Sequence, residues 1–137
     1  MTEFDPQSEY PIGVRRPDLI RTPSGFGLGH LTLENLRAGV IPEDEFRATP
    51  ETLRMQAQVA RIAERDQLAD NLERAAELAN IPDDVILEVY TALRPRRSSA
   101  EDLENWALRM ETSYHAAAIA SLVRQAAAAY ATQGLLA

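Results

Sequence analysis

The sequence contains no cysteine and no lysine. Without cysteine it can build neither a disulfide framework nor a thiolate metal site or nucleophile. Without lysine it is closed to Schiff-base and lysine general-base chemistry; all fourteen basic residues are arginine. Histidine is scarce as well. His30 and His115 are the two in the chain, and neither stands in the HxxxH or HxxE spacing from which metal sites are built. No apolar run is long enough to span a bilayer. The opening stretch "MTEFDPQSEYP" is acidic and lacks the apolar core of a secretory signal, so a cytoplasmic protein is expected. Period-two alternation is missing throughout, which removes β-strands from the expected fold. A net charge of −7 argues against general nucleic-acid binding, because phosphate contacts need a net basic face.

What is present suits a folded helical protein. Of 137 residues, 45% are apolar and 26% charged, enough for one domain with a modest core. Residues 1–31 read as an extended, irregular N-terminal arm, because its prolines and glycines prevent long helices. Yet Tyr10, Ile12, Val14, Leu19, Ile20, Phe26 and Leu28 are too apolar for a segment left in water. Such an arm either wraps its own domain or lies along another protein. Residues 32–137 read as the helical domain, single overall and with two long helices. Thr32 caps a short helix that Gly39 stops. Thr49 and Pro50 start the next. Leu53, Ala57, Ala60, Leu68, Leu72, Ala75 and Ala79 follow at helical spacing, although polar "ERDQ" leaves open one helix or two joined at a bend. Pro82 forces a new start, and Asp83, Asp84 and Arg94 complement the dipole of a short helix. Ser98 or Ser99, with Glu101 or Asp102, then caps a last helix expected to run unbroken from about residue 100 to about residue 131.

Candidate chemistry is sparse. His115 lies four residues after Glu111 and reads as a helix histidine paired with it. The carboxylates cluster near helix starts, where the dipole accounts for them. "SGFGLG" reads as a turn rather than a phosphate cradle, since no amphipathic helix follows at the required spacing. The alanine run "AAAIASLVRQAAAAYA" would admit a close helix neighbour, from this chain or from a partner. Trp106 and Tyr114 read as core or interface anchors. "LRPRRSS", residues 93–99, gathers Arg94, Arg96 and Arg97 around Pro95 in an otherwise acidic chain. Those arginines could hold a phosphate, but a protein–protein or ion-pair role is preferred, because nothing else in the chain offers a nucleotide a site. From the residues, catalytic, cofactor-binding and metal-ligating sets are all expected to be empty.

Five blocks in register carry a resemblance: "YPIGVRRPDLIRTPSG" (10–25), "LTLENLRAG" (31–39), "TLRMQAQVA" (52–60), "NLERAAELANIPDDVILEVYTALRPRRSS" (71–99) and "YHAAAIASLVRQAAAAY" (114–130). Together they resemble the small (gamma) subunit of adenosylcobalamin (coenzyme B12)-dependent diol and glycerol dehydratases, over nearly the whole chain. The resemblance implies a mostly helical, non-catalytic subunit of a hydro-lyase. Its partners would be large (alpha) and medium (beta) subunits in a heterohexamer, a dimer of heterotrimers. The large subunit would be a TIM barrel holding the diol and a metal ion, with adenosylcobalamin between it and the medium subunit. Propane-1,2-diol or glycerol would lose water by a radical route and leave as an aldehyde. On this reading "LRPRRSS" matches the family's LRPxRSS junction and becomes a corner that fixes the helices to the large subunit. The expected interface residues are Tyr10, Ile12, Leu19, Ile20, Phe26, Arg94 and Arg97. The stretch "TPSGFGL" departs from the family's lysine-bearing "TPTGKPL" type, so the arm's contacts are expected to differ there. Nine residues precede Tyr10, fewer than the extension linked to microcompartment packaging in some relatives, so packaging through this subunit is not expected. The competing readings are an independent helical adaptor or regulator and an anion-binding module at "RPRRSS".

Overall fold

A computed structural model describes residues 3–137. Among them are seven α-helices, three short 3₁₀ turns and no strand, so the fold is all-α. The chain divides into two compact units, Met1–Ala76 and Glu77–Ala137.

The first unit begins with the proline- and glycine-rich arm, which forms short pieces. A one-turn helix α1 (Ile12–Arg15) is followed by 3₁₀ turns at Pro17–Leu19 and Leu28–His30. Helix α2 (Leu33–Arg37) starts where the Thr32 side chain accepts from the Asn35 amide, and Gly39 follows it at φ +71°, a conformation that costs glycine nothing. A further 3₁₀ turn spans Glu43–Phe46. Helix α3 (Pro50–Ile62) is capped by Thr49, whose hydroxyl accepts from the Thr52 amide, with Pro50 in the first turn. Of the two options left by "ERDQ", the bend is the one found. Glu64 turns left-handed at φ +57°, the Arg65 amide donates back to the Ala60 carbonyl, and α4 (Asp66–Leu78) begins. Arg61 holds the joint by pairing with Asp70 at 2.8 Å and Asp66 at 3.9 Å. Ala57, Ala60 and Ala69 are buried there with Leu72 beside them; such small residues allow a close approach.

The second unit packs α5 (Asp83–Ala92), α6 (Ala100–Tyr114) and α7 (Ala117–Gln133) around one core. Ile81, Val85 and Val89 meet Leu103, Ala107 and Met110 of α6 and Ile119, Ala120 and Val123 of α7. The spacing within each set is three or four residues, one face of a helix. Two expectations change here. The last helix is broken: His115 sits left-handed at φ +53°, and α6 and α7 pack on each other. The break is what lets the alanine face fold back onto α6, so its neighbour belongs to this chain. Arg94 lies past the end of α5 rather than in its last turn, because the helix closes at Ala92 with Leu93 as cap.

Candidate functional site

The arm is fixed by charge and hydrogen bonding. Arg16 pairs with Glu9 at 2.7 Å and with Asp18 at 3.0 Å; the guanidinium keeps the Asp18 carboxyl below its ordinary range, and the Asp5 amide, with Arg16 second, does the same for Glu9. Residues 22–26 form a turn in which the Thr22 amide donates to the Phe26 carbonyl and the Phe26 amide to the Thr22 hydroxyl. Buried Glu45 braces that turn: its carboxylate accepts from the Ser24 hydroxyl at 2.6 Å and the Ser24 amide at 3.2 Å. Beside the arm runs a groove of about 590 Å³ lined by Tyr10, Ile12, Ile20, Val59, Leu68 and Leu72 among others. Of the expected arm contacts, Tyr10 is 57% exposed, Leu19, Ile20 and Phe26 are half-buried, and Ile12 is only 5% exposed, with its side chain in the groove wall.

The arginine junction is a rigid corner. Arg96 is left-handed at φ +61°, and its amide donates to the Leu135 carbonyl at 2.7 Å. The Ala137 amide donates to the Ser98 carbonyl at 2.9 Å, the Ser98 hydroxyl to the Ala92 carbonyl at 2.8 Å, and the Tyr130 hydroxyl to the Leu93 carbonyl. Ser99 is the cap of α6 and forms a reciprocal capping box with Asp102. The backbone is thus satisfied internally, while Arg94, Arg96 and Arg97 stay exposed with no ion-pair partner among the described residues. Asp102 occupies the start of α6, so the helix end is not open to a phosphate.

His115 does not pair with Glu111, as the helical spacing suggested. Glu111 and Glu104 instead clasp Arg124 of α7, at 2.6 Å and 2.9 Å, because the chain reverses at His115 and brings α7 alongside. Both carboxyls are held below their ordinary range by that guanidinium. His30 and His115 are both exposed and fall in different units. Among the described residues no three His, Asp or Glu side chains converge as metal ligands. The interior of the second unit leaves about 10 Å³ between Leu78, Val89, Met110 and Val123, room for one water. These residues do not fit a metal ion or a corrinoid.

Residues 6–137 match the family described as "Dehydratase small subunit". Over 123 residues the chain is 46% identical to the propanediol dehydratase small subunit of Citrobacter freundii, covering 90% of this chain and 72% of that protein. The chain belongs to the dehydratase small-subunit family. The same identity and 90% coverage hold for the propanediol dehydratase small subunit of Salmonella typhimurium strain LT2, of which 71% is spanned.

Residues 74–99, the most specific piece of the resemblance, carry the end of α4, all of α5 and the arginine corner. Sequence reasoning missed Glu77. Its carboxylate accepts from the Ala118 and Ile119 amides, both at 2.8 Å, and so caps α7, which has no side-chain cap of its own. It also missed Glu45 and Arg124. All three act on residues 13 to 42 positions away along the chain, a distance that local patterns do not reach. A signal was present for Arg124: an arginine inside an alanine-rich helix needs a partner.

Proposed function

We propose that the chain is the non-catalytic small (gamma) subunit of a coenzyme B12-dependent diol or glycerol dehydratase, in which it binds and supports the large (alpha) subunit. The match to the dehydratase small-subunit family along residues 6–137 carries this reading. The two relatives' names, both propanediol dehydratase small subunits, favour a 1,2-diol as the substrate of the complex. In this reading adenosylcobalamin, held by the large and medium subunits, supplies the radical that lets the diol lose water to an aldehyde. No step is assigned to residues of this chain. Residues 1–31 act as the arm that lies along the partner, with Tyr10, Ile12, Leu19, Ile20 and Phe26 at or beside the contact. Residues 32–137 act as the helical body, and Arg94 and Arg97 present the second contact. No helix among the described residues is long and apolar enough to cross a membrane; in this reading the complex works in the cytoplasm.

The test is co-expression of this chain, tagged, with the large and medium subunits encoded beside it. The complex is purified and assayed for aldehyde from propane-1,2-diol and from glycerol with added adenosylcobalamin. A stoichiometric three-subunit complex whose activity needs this chain is the expected result. Two subunits that assemble and turn over fully without it would favour an independent adaptor instead.

A further inference from the structure

We propose that the outer face of α5 is a self-contact, on which two copies of the unassembled chain meet antiparallel about a two-fold axis. Asp83, Leu87, Tyr90 and Arg94 follow one another at steps of four, three and four residues, the spacing of a coiled-coil seam. All four are exposed. Arg94 lies past the end of the helix, yet its amide still donates to the Thr91 carbonyl at 3.2 Å, so the turn carries on to it. Leu87 is 68% exposed and Tyr90 50%, and among residues 77–137 Leu108 is the one other large apolar side chain so open to water. The opposite face of α5 packs into the core through Val85 and Val89. A helix that is apolar on both sides is stable when both are covered. The subunit reading gives Arg94 to the large subunit, so the self-contact is one of the free chain and gives way on assembly.

The order of charges along the seam selects the occupant. An antiparallel second copy sets Asp83 opposite that copy's Arg94 and Leu87 opposite its Tyr90, and the two-fold repeats each pair. Neither Asp83 nor Arg94 has an ion-pair partner among the described residues. Asp84 keeps its charge while it accepts from the Val85 amide, so Asp83 and Asp84 at one end of α5 face Arg94, Arg96 and Arg97 at the other. The antiparallel arrangement also sets the two helix dipoles head to tail. The flanks match themselves: Asp84 comes to face Thr91, and half-buried Ile86 comes to face half-buried Leu93. Glu88 is turned about 100° from Leu87 round the helix and lies outside the seam. A parallel copy would put Asp83 on Asp83 and Arg94 on Arg94. A helix of another protein would have to repeat this order in reverse, which a second copy does by symmetry. The net charge of −7 on each copy opposes the pairing at long range, and salt screens that repulsion. A seam of about three helical turns buries less than a standard interface, so the dimer belongs at the weak end of specific association.

The experiment is sedimentation equilibrium of the full chain alone, from low micromolar to millimolar protein at physiological salt, with helix content checked by circular dichroism. Wild type should show a reversible monomer–dimer equilibrium. Leu87→Asp should weaken it about tenfold or more, because it places a charge at the centre of the contact. Asp83→Arg sets arginine against arginine and Arg94→Asp sets aspartate against aspartate, so each variant alone should dimerise about tenfold more weakly or worse. Mixed together, the two variants form matched pairs, and the mixture should sediment as a heterodimer about as tight as the wild-type dimer. A wild-type chain that stays monomeric at millimolar concentration overturns the proposal, as does a dimer that Leu87→Asp leaves intact. A mixture no tighter than the single variants overturns it too, since Asp83 and Arg94 would then not meet. None of these results bears on the subunit reading, which the three-subunit assembly tests on its own.

Discussion

Glu45 is 7% exposed, carries a negative charge and has no cation beside it. Hydrogen bonds from the Ser24 hydroxyl, the Thr22 hydroxyl and the Ser24 amide stabilise its ionised form and hold its carboxyl below the ordinary value of 4.5. Because the folded value is depressed, its contribution to stability is complete above about pH 4.5 and is lost as pH falls through the folded value. The Glu45→Gln chain keeps the side chain's shape and loses the charge. Its urea midpoint should lie below wild type at pH 7, and the gap should close as pH drops below 4.5. A gap that stayed constant from pH 7 to pH 3 would mean that the ionised carboxylate is not what braces the arm's turn. At this scale the sequence was silent, since nothing near Glu45 marks it as different from Glu43 or Asp44, its neighbours in "EDEF".

At the scale of elements, the reversal between α6 and α7 rests on two residues that work from opposite sides. His115 takes the left-handed conformation, which costs a residue with a Cβ roughly 1–2 kcal/mol, and Glu77 caps the helix that follows. Replacing His115 by glycine should raise stability by about 0.5–1 kcal/mol, since glycine adopts that conformation freely. Replacing Glu77 by alanine should lower it by about 1–2 kcal/mol, because two helix-start amides lose their acceptor. Thermal melts of the two variants, which should move in opposite directions, check both. The starts of α2, α3 and α6 were legible in sequence because Thr32, Thr49–Pro50 and Ser99–Asp102 are local signals, each complete within four residues. The end of α7 is equally local: Gly134 is left-handed at φ +67°, and the Leu135 amide returns to the Tyr130 carbonyl. The α6–α7 break was not legible. Neither glycine nor proline marks it, and the helical period runs through "SYHAAA" without interruption. What overrides the period is tertiary, namely the Glu77 cap and the burial of Ala116, Ile119 and Ala120 against α6.

For the whole molecule, the all-α class could be read from composition and period. Which face meets a partner could not, because exposed apolar and basic residues look alike in sequence whether or not something covers them. The arginine corner tests that point. Arg94→Ala/Arg97→Ala takes the net charge from −7 to −9 and leaves the corner's backbone bonds untouched. Helix content should be unchanged, while gel filtration of the co-expressed subunits should show the small subunit running partly free of the complex. An unchanged stoichiometry at low micromolar protein would remove the corner from the contact.

The corner is laced to the last three residues of the chain, through the bonds from Arg96 to Leu135 and from Ala137 to Ser98. Loss of residues 135–137 would therefore unpin the arginines without entering any helix. A protein so altered would give a normal circular dichroism spectrum and, on the proposed subunit reading, would bind the large subunit poorly. Intact mass is thus a more telling check on a preparation than helicity.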